Sequence, residues 1–100
     1  MKILSIGKPK DALLSVPPET RAKMVKESTE ASKPLIDKGK ILAQYYSPTS
    51  QYVFAIVDYD DAGEWLKDLA SIQTMNYYDQ EVYPIVDLLD AIKMAGMTNL

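Results

Sequence analysis

The sequence predicts a single α+β domain whose main elements follow the order β-α-β-β-α-β, with a helical segment at the carboxyl end. Short runs rich in β-branched and aromatic residues, bounded by Gly, Pro, Asp and Ser, indicate four strands. Between these runs lie two segments in which apolar and small residues recur at helical spacing. A chain of 100 residues fits one domain with a small core.

The composition argues against several kinds of site and partner. Cysteine and histidine are absent, which removes disulfides, thiolate chemistry and the commonest general base and metal ligand. We therefore predict neither a metal nor a cofactor. The net charge of −3 argues against a nucleic-acid partner, which requires a basic face. No apolar run reaches the ~20 residues of a membrane span, and no signal peptide is evident, so we expect a cytoplasmic protein without a membrane partner.

The first strand is short in this prediction. Residues 3–6 form it, and Gly7 is expected to close it. Residues 8–16 are predicted to be a loop, because Pro9 cannot donate a backbone hydrogen bond inside a sheet. For the apolar pair Leu13-Leu14 in this loop we consider three roles. The pair packs under the first helix, which we favour, or it caps a pocket or contacts another subunit.

The first helix is predicted to begin at Pro17-Pro18-Glu19, since proline fits a first turn and an acid there meets the positive end of the helix dipole. Pro34 lies inside the pattern and is expected to kink or break the helix, because it removes a backbone donor. Lys38-Gly39 is expected to end it. The inner stripe consists of Met24, Val25, Ser28, Ala31, Ser32, Leu35 and Ile36.

A hairpin is predicted next. Residues 41–46 form the second strand, residues 47–50 the turn and residues 51–57 the third strand. The run from Val53 to Val57 is apolar at every position, which is typical of a strand without water on either face. We therefore expect the sheet to be covered twice, by helices on one face and by something else on the other.

The second helix is capped by Asp60 or Asp61, and Glu64 is placed like the acid of a capping box. Residues 71–78 are predicted to be a loop and residues 79–85 the fourth strand. The inner face of this helix consists of Trp65, Leu66 and Leu69.

The element order is that of a ferredoxin-like split βαβ unit, in which one antiparallel sheet carries two helices on one face. We assign residues 1–87 to this unit and residues 88–100 to a helical tail. Asp87 can cap the tail helix, which ends near Gly96. Its apolar stripe consists of Leu88, Leu89, Ile92 and Ala95.

Four segments of the chain together resemble a known family. They are Pro17-Pro18-Glu19, Gly39-Lys40, Phe54-Ala55-Ile56-Val57 and Asp79-x-Glu81-Val82-x-Pro84. The pattern is similar to the muconolactone isomerase-like branch of the dimeric α/β-barrel superfamily, over roughly residues 1–88. The interruption at Pro34 and the longer tail depart from the family pattern.

The resemblance implies an assembly and an activity. In such proteins two protomers place their open sheet faces together as a shared barrel, and dimers build larger rings. The resemblance thus implies a homodimer, with residues 88–97 as an arm on a neighbour. It also implies a cofactor-free isomerase that acts on a small enol-lactone or a related intermediate of aromatic breakdown.

Asp79 and Glu81 are the candidate catalytic residues. Their side chains point to the same side of a regular strand, since side chains alternate with period two. Loss of water in a barrel and mutual repulsion would raise a carboxyl pKa toward neutrality. Glu81 would then be the proton shuttle and Asp79 its coupled partner. The alternative is that Asp79 begins the strand in solvent while Glu81 pairs with a lysine or arginine.

Tyrosines are the candidate donors to a developing enolate. Those on or near predicted strands include Tyr45, Tyr46, Tyr52, Tyr78 and Tyr83. We select Tyr46 and Tyr78 as substrate-binding residues. Tyr45 and Tyr46 face opposite sides of their strand, so only one of them can line a barrel, and Tyr46 is preferred because a turn follows it. The alternative is that the tyrosines are packing residues with hydroxyls at a rim or subunit interface.

Three functions therefore remain open at this level. The first is the isomerase just described. The second is a non-catalytic barrel that binds a small hydrophobic ligand or serves as an assembly module. The third is a cofactor-free oxygenase or cyclase that acts on a polyketide-like phenol. Fold alone does not choose among them.

Overall fold

A computed structural model describes residues 1–72 and 76–96. Four strands form one antiparallel sheet in the order β2-β3-β1-β4. The α+β class and the single sheet are confirmed, and this strand order is compatible with a ferredoxin-like fold. The elements are β1 (Lys2–Pro9), α1 (Asp11–Leu14), α2 (Pro18–Asp37), β2 (Ile41–Tyr46), β3 (Val53–Asp58), α3 (Ala62–Ser71), β4 (Tyr78–Ile85) and α4 (Leu88–Met94).

Strand β1 runs further than predicted. Gly7 lies opposite Gln80, and Pro9 ends the strand opposite Tyr78. The expected end at Gly7 is therefore wrong. Pro9 is tolerated because the pairing of β1 with β3 stops at Gly7, so Pro9 has a neighbouring strand on one side only. The predicted loop 8–16 is also interrupted, since residues 11–14 form the short helix α1.

Helix α2 begins and ends as predicted. Pro18 occupies its first turn, and Gly39 follows its end with φ +72°. Gly39 N–H donates to the Ile36 carbonyl at 3.0 Å, and Lys40 N–H donates to the Leu35 carbonyl at 2.8 Å. These are the two bonds of a Schellman ending, which satisfies carbonyls that the helix leaves free.

The predicted break at Pro34 is wrong, because α2 is continuous from Pro18 to Asp37. Proline removes the backbone donor to the Glu30 carbonyl, but the residues after it remain helical as far as Asp37. Lys38 N–H still donates to the Pro34 carbonyl at 3.1 Å. The Pro34 side chain is exposed, so its ring meets solvent instead of the sheet.

The hairpin turn is longer than predicted. Strand β2 matches the expected residues 41–46, but β3 begins at Val53 instead of residue 51. Gln51 adopts φ 61°, a left-handed conformation that a strand cannot contain. Ser47 N–H donates to the Tyr52 carbonyl at 3.0 Å and closes the loop.

The core lies between α3 and one sheet face, which we call the helix face. Odd-numbered residues of β1 and β3, such as Ile3 and Val57, point to it. Asp61 caps α3 by accepting from Gly63 N–H at 2.6 Å, which selects it over Asp60. The predicted inner face of α3 is confirmed. The buried cluster consists of Ile3, Ile41, Ala55, Val57, Tyr59, Trp65, Leu69 and Ile72.

The opposite sheet face, which we call the open face, is less well covered. Its central side chains are only half-buried, whereas their neighbours Ala55 and Val57 on the helix face are buried. The sequence predicts that both faces of β3 are covered. Among the described residues, β3 has fully buried side chains only on its helix face. The central side chains of the open face are Leu4, Ile6, Phe54 and Ile56.

Residues Leu88–Met94 form helix α4, within the segment predicted as a helical tail. Asp87 caps it by accepting from Leu89 N–H at 2.9 Å, and Gly96 has φ +73° just beyond its end. Leu88 and Leu89 are 73% and 67% exposed, so α4 stands away from the sheet. The radius of gyration of 15.7 Å exceeds the ~13 Å typical of a compact chain of this length.

Two segments fall outside the described residues. They are residues 73–75 of the predicted loop and residues 97–100 of the predicted tail. Among the helices that are described, none is both long and apolar enough to cross a membrane.

Candidate ligand-binding cavity

A cavity of about 680 Å³ lies between α2 and the helix face of the sheet. It forms because α2 buries only Ser32, whereas α3 buries Trp65 and Leu69. Ser28 and Ser32 are too short to fill the space between α2 and the strands. Small-molecule sites typically have volumes of about 300–1,000 Å³, so the cavity has a suitable size.

The cavity wall is mainly apolar. Leu13 of α1 is buried and contributes to it, so this leucine faces the cavity. Trp65, Leu69 and Ile72 contribute from α3 and the residue after it, and Val53 contributes from β3. An apolar wall with a few polar groups is typical of a site for an organic molecule.

The polar groups of the wall come mainly from α2 and the strands. Ser5 is buried, and its hydroxyl lies 3.5 Å from Gln80 Oε1. Ser32 is also buried and donates to the Ser28 carbonyl at 2.8 Å. Arg21 is the only charged side chain among the described residues that line the cavity. Further neutral polar groups of the wall belong to Thr29, Gln44, Gln51 and Gln80 and to the tyrosines.

Trp65 contributes an unusual polar atom. The side chain is 2% exposed, and its Nε1 has no hydrogen-bond partner among the described residues. Its ring lies 5.6 Å from that of Tyr59, centroid to centroid. A buried donor without a partner costs about 1–3 kcal/mol, so the packing of this indole offsets an unfavourable contribution to the stability of the core.

Tyr46 and Tyr78, the predicted substrate-binding residues, both line this cavity. Tyr46 lies opposite Val53 on the helix face, whereas Tyr45 lies opposite Phe54 on the open face. The preference for Tyr46 as the residue that lines a barrel of open sheet faces is therefore not met, because Tyr46 lies on the helix face. Burial raises the pKa of Tyr78, and the nearby Tyr46 raises it further. Tyr78 is thus a neutral hydroxyl donor at physiological pH.

Glu81 and Asp79, the predicted catalytic residues, lie on the open face instead. Glu81 Oε1 is 2.5 Å from Lys8 Nζ, and Tyr83 Oη donates to Oε2 at 2.9 Å. The hydrogen bond from Lys8, followed by that from Tyr83, lowers the pKa of Glu81. Asp79 is 75% exposed and lies 3.9 Å from Lys10 Nζ.

The expectation of a raised pKa at Glu81 is therefore wrong for the single chain. The physical reason is that the positively charged Lys8 stabilises the ionised carboxylate of Glu81, and this effect outweighs repulsion by Asp79. The alternative, with Glu81 paired and Asp79 in solvent, matches the structure. The four predicted residues do not come together, since two lie on each face of the sheet.

No protein-family model matches this chain, and no curated protein is significantly similar to it.

The resemblance to muconolactone isomerase-like proteins therefore depends on the four segments named above. It supplies hypotheses about activity and assembly. Within residues 1–72 and 76–96, no group of three or more His, Cys, Asp or Glu side chains is placed to hold a metal ion.

Sequence reasoning missed Arg21 and the pairing of Lys8 with Glu81. Arg21 could have been found from helical periodicity. It precedes Met24 by three residues, Val25 by four and Ser28 by seven, so it lies on the same face of α2 as the inner stripe. It is also the only arginine of the chain. Lys8 had no local signal, since its partner Glu81 lies 73 residues away and meets it only through the sheet register.

Proposed function

We propose that this protein binds a small, largely apolar organic molecule in the cavity between α2 and the sheet. The observation that carries the proposal is a cavity of about 680 Å³ whose wall surface is mainly apolar and also carries hydroxyl and amide groups. A hydrophobic ligand removes apolar wall from water, which contributes roughly 25 cal/mol per Å² buried. Tyr46 and Tyr78 supply hydroxyls that can orient it.

The fluorescent dye N-phenylnaphthylamine, which is neutral and brightens in apolar sites, tests this proposal. We expect saturable binding at one site per chain in the wild type. Ser28→Phe fills the cavity from α2 and should abolish binding while the fold is retained. Thr20→Phe adds the same ring at an exposed position of α2 outside the cavity and should leave binding intact. Equal binding by Ser28→Phe and wild type would rule out this site.

A second proposal follows from the resemblance: a cofactor-free isomerase of small enol-lactones. The Lys8–Glu81–Tyr83 cluster favours it, since a carboxylate, a cation and a phenol lie together on the open face beside its apolar centre. Proton shuttling at neutral pH requires a higher pKa for Glu81, which burial under a second protomer would favour. Glu81→Gln should abolish deuterium uptake into a candidate lactone, whereas Asp79→Asn should reduce it less. Unchanged uptake in Glu81→Gln would remove Glu81 from the mechanism.

We also infer that two protomers associate through the open face. Half-buried Leu4, Ile6, Phe54 and Ile56 form an apolar surface there, which a second copy can cover. Ile56→Lys places a charge in the middle of this surface. We expect the wild type to sediment as a dimer at micromolar concentration and Ile56→Lys as a folded monomer. A wild-type monomer would contradict the inferred dimer without affecting the cavity.

A further inference from the structure

We infer that the molecule bound in this cavity is an organic anion, an aromatic or alicyclic carboxylate whose carboxylate is held by Arg21. The inference rests on the proposed binding function, because it names the chemical class of the ligand. It depends on three observations: the charge of the wall, the lack of a partner for Arg21, and the neutral donors nearby.

The first observation is the charge of the wall. The chain has 14 Asp and Glu residues against 11 Lys and Arg residues. Nevertheless, Arg21 is the only charged side chain among the described residues that line the cavity. An acidic protein thus contains a cavity whose single formal charge is positive. A local field of this sign attracts an anion and disfavours a cation.

The second observation concerns the partners of Arg21. The ion pairs among the described residues are Met1–Asp58, Lys8–Glu81 and Lys10–Asp79, and none includes Arg21. Its side chain also makes no hydrogen bond within residues 1–72 and 76–96, although it is half-buried. A half-buried guanidinium normally has a carboxylate or phosphate partner, because its planar donors match two oxygens at once.

The third observation concerns the remaining polar groups. Tyr78 stays protonated because burial raises its pKa, so its hydroxyl can donate to an anionic oxygen. Tyr46 offers a second phenol in the same wall. Trp65, Leu13 and Val53 surround the space with apolar surface that suits a ring. One cation, neutral hydroxyl and amide groups, and a mainly apolar wall surface together match a carboxylate attached to a hydrocarbon ring.

The experiment uses N-phenylnaphthylamine as the reporter and two competitors of nearly equal shape, naphthoate and naphthamide. They differ in charge, since the carboxylate of the first is replaced by a neutral amide in the second. We expect naphthoate to displace the dye from the wild type at a roughly tenfold lower concentration, as a charge-assisted hydrogen bond would give. In Arg21→Gln this preference should disappear while dye binding remains.

Two further variants define the outcome. Lys23→Gln removes the same charge from an exposed position on α2 outside the cavity, and it should retain the preference for naphthoate. Arg21→Lys keeps the charge but loses the planar donors, so it should retain part of the preference. Equal displacement by both competitors in the wild type, or an unchanged preference in Arg21→Gln, overturns the assignment of Arg21 while the cavity remains a binding site. Absence of dye binding in all variants instead overturns the proposed function.

Discussion

Lys8 and Glu81 form an ion pair across β1 and β4, with Nζ and Oε1 2.5 Å apart. Tyr83 Oη donates to the other carboxylate oxygen at 2.9 Å. The pair holds the pKa of Glu81 below its ordinary value, and the same contact raises the pKa of Lys8. Both groups are therefore charged at neutral pH, and the open face carries a compensated polar cluster.

The first prediction concerns the pH dependence of this cluster. Because folding lowers the pKa of Glu81, its ionised form stabilises the fold above the ordinary glutamate pKa of about 4.3. That stabilisation disappears as the pH falls through the lower pKa of the folded state. Glu81→Gln should thus be slightly less stable than wild type in urea at about pH 7, and the difference should vanish at about pH 2.

The effect should be small, because the Lys8 and Glu81 side chains are 37% and 38% exposed and solvent screens them. Asp79→Asn is the matched control. Its carboxylate lies 3.9 Å from Lys10 Nζ and is more exposed, so a smaller change is expected. A Glu81→Gln variant with the wild-type stability at every pH would contradict a stabilising pair.

The second prediction concerns alkaline pH. Burial raises the pKa of Tyr59, and its hydrogen bond to Asp68 Oδ2 at 2.7 Å raises it further. The neutral phenol therefore stabilises the fold fully below pH ~10, and this contribution is lost as the pH rises above that value. Tyr59→Phe should lower the free energy of unfolding by about 1 kcal/mol at neutral pH.

Urea denaturation between about pH 8 and pH 11 checks this prediction. The wild type should lose stability more steeply with pH than Tyr59→Phe does. Tyr45→Phe is the control, since Tyr45 is exposed and its hydroxyl makes no hydrogen bond within the described residues. Parallel pH profiles for Tyr59→Phe and the wild type would show that Tyr59 does not contribute this dependence.

The third prediction separates two adjacent acids. Asp61 accepts a hydrogen bond from Gly63 N–H at 2.6 Å, and this bond satisfies a donor at the start of α3. Asp61→Ala should lower the free energy of unfolding by about 1 kcal/mol. Asp60→Ala removes the same charge one residue earlier and should change it by less than about 0.5 kcal/mol. Equal losses would indicate that charge, not capping, is responsible.

The fourth prediction concerns Pro34 in α2. An alanine there restores a donor for the Glu30 carbonyl and removes the ring from the helix interior. Proline costs about 3 kcal/mol relative to alanine in a helix, so Pro34→Ala should raise the free energy of unfolding by about 1–3 kcal/mol. Lys33→Ala, also exposed, should change it by less than about 0.5 kcal/mol. Destabilisation by Pro34→Ala would mean that the proline ring contributes packing.

The sequence predicted those features that depend on neighbouring residues. Strand β2 over residues 41–46, the Schellman ending at Gly39 and the cap at Asp87 each follow from local chemistry. The end of β1 was predicted wrongly at Gly7. A strand can contain Gly7 and Pro9 here because β1 pairs with β4, but not with β3, beyond Gly7, and the local sequence does not show which strands pair.

The candidate site was harder to predict, because it depends on distances between elements. The cavity exists because α2 buries only the small Ser32 against the sheet, whereas α3 buries Trp65 and Leu69, and periodicity does not reveal how the space beside these side chains is filled. Strand alternation correctly placed Asp79 and Glu81 on one side, but Tyr46 and Tyr78 lie on the other face. Only the register of β1 with β4 brings Lys8 to Glu81.

Trp65 is the single tryptophan of the chain, and it forms part of the cavity wall. Its emission colour and intensity respond to whatever occupies the adjoining space, since indole fluorescence depends on the polarity of its surroundings. The intrinsic fluorescence of Trp65 can therefore report whether a ligand occupies the cavity. Unlabelled metabolite extracts can be fractionated and followed by this intrinsic signal, and the fraction that shifts it leads to the natural ligand.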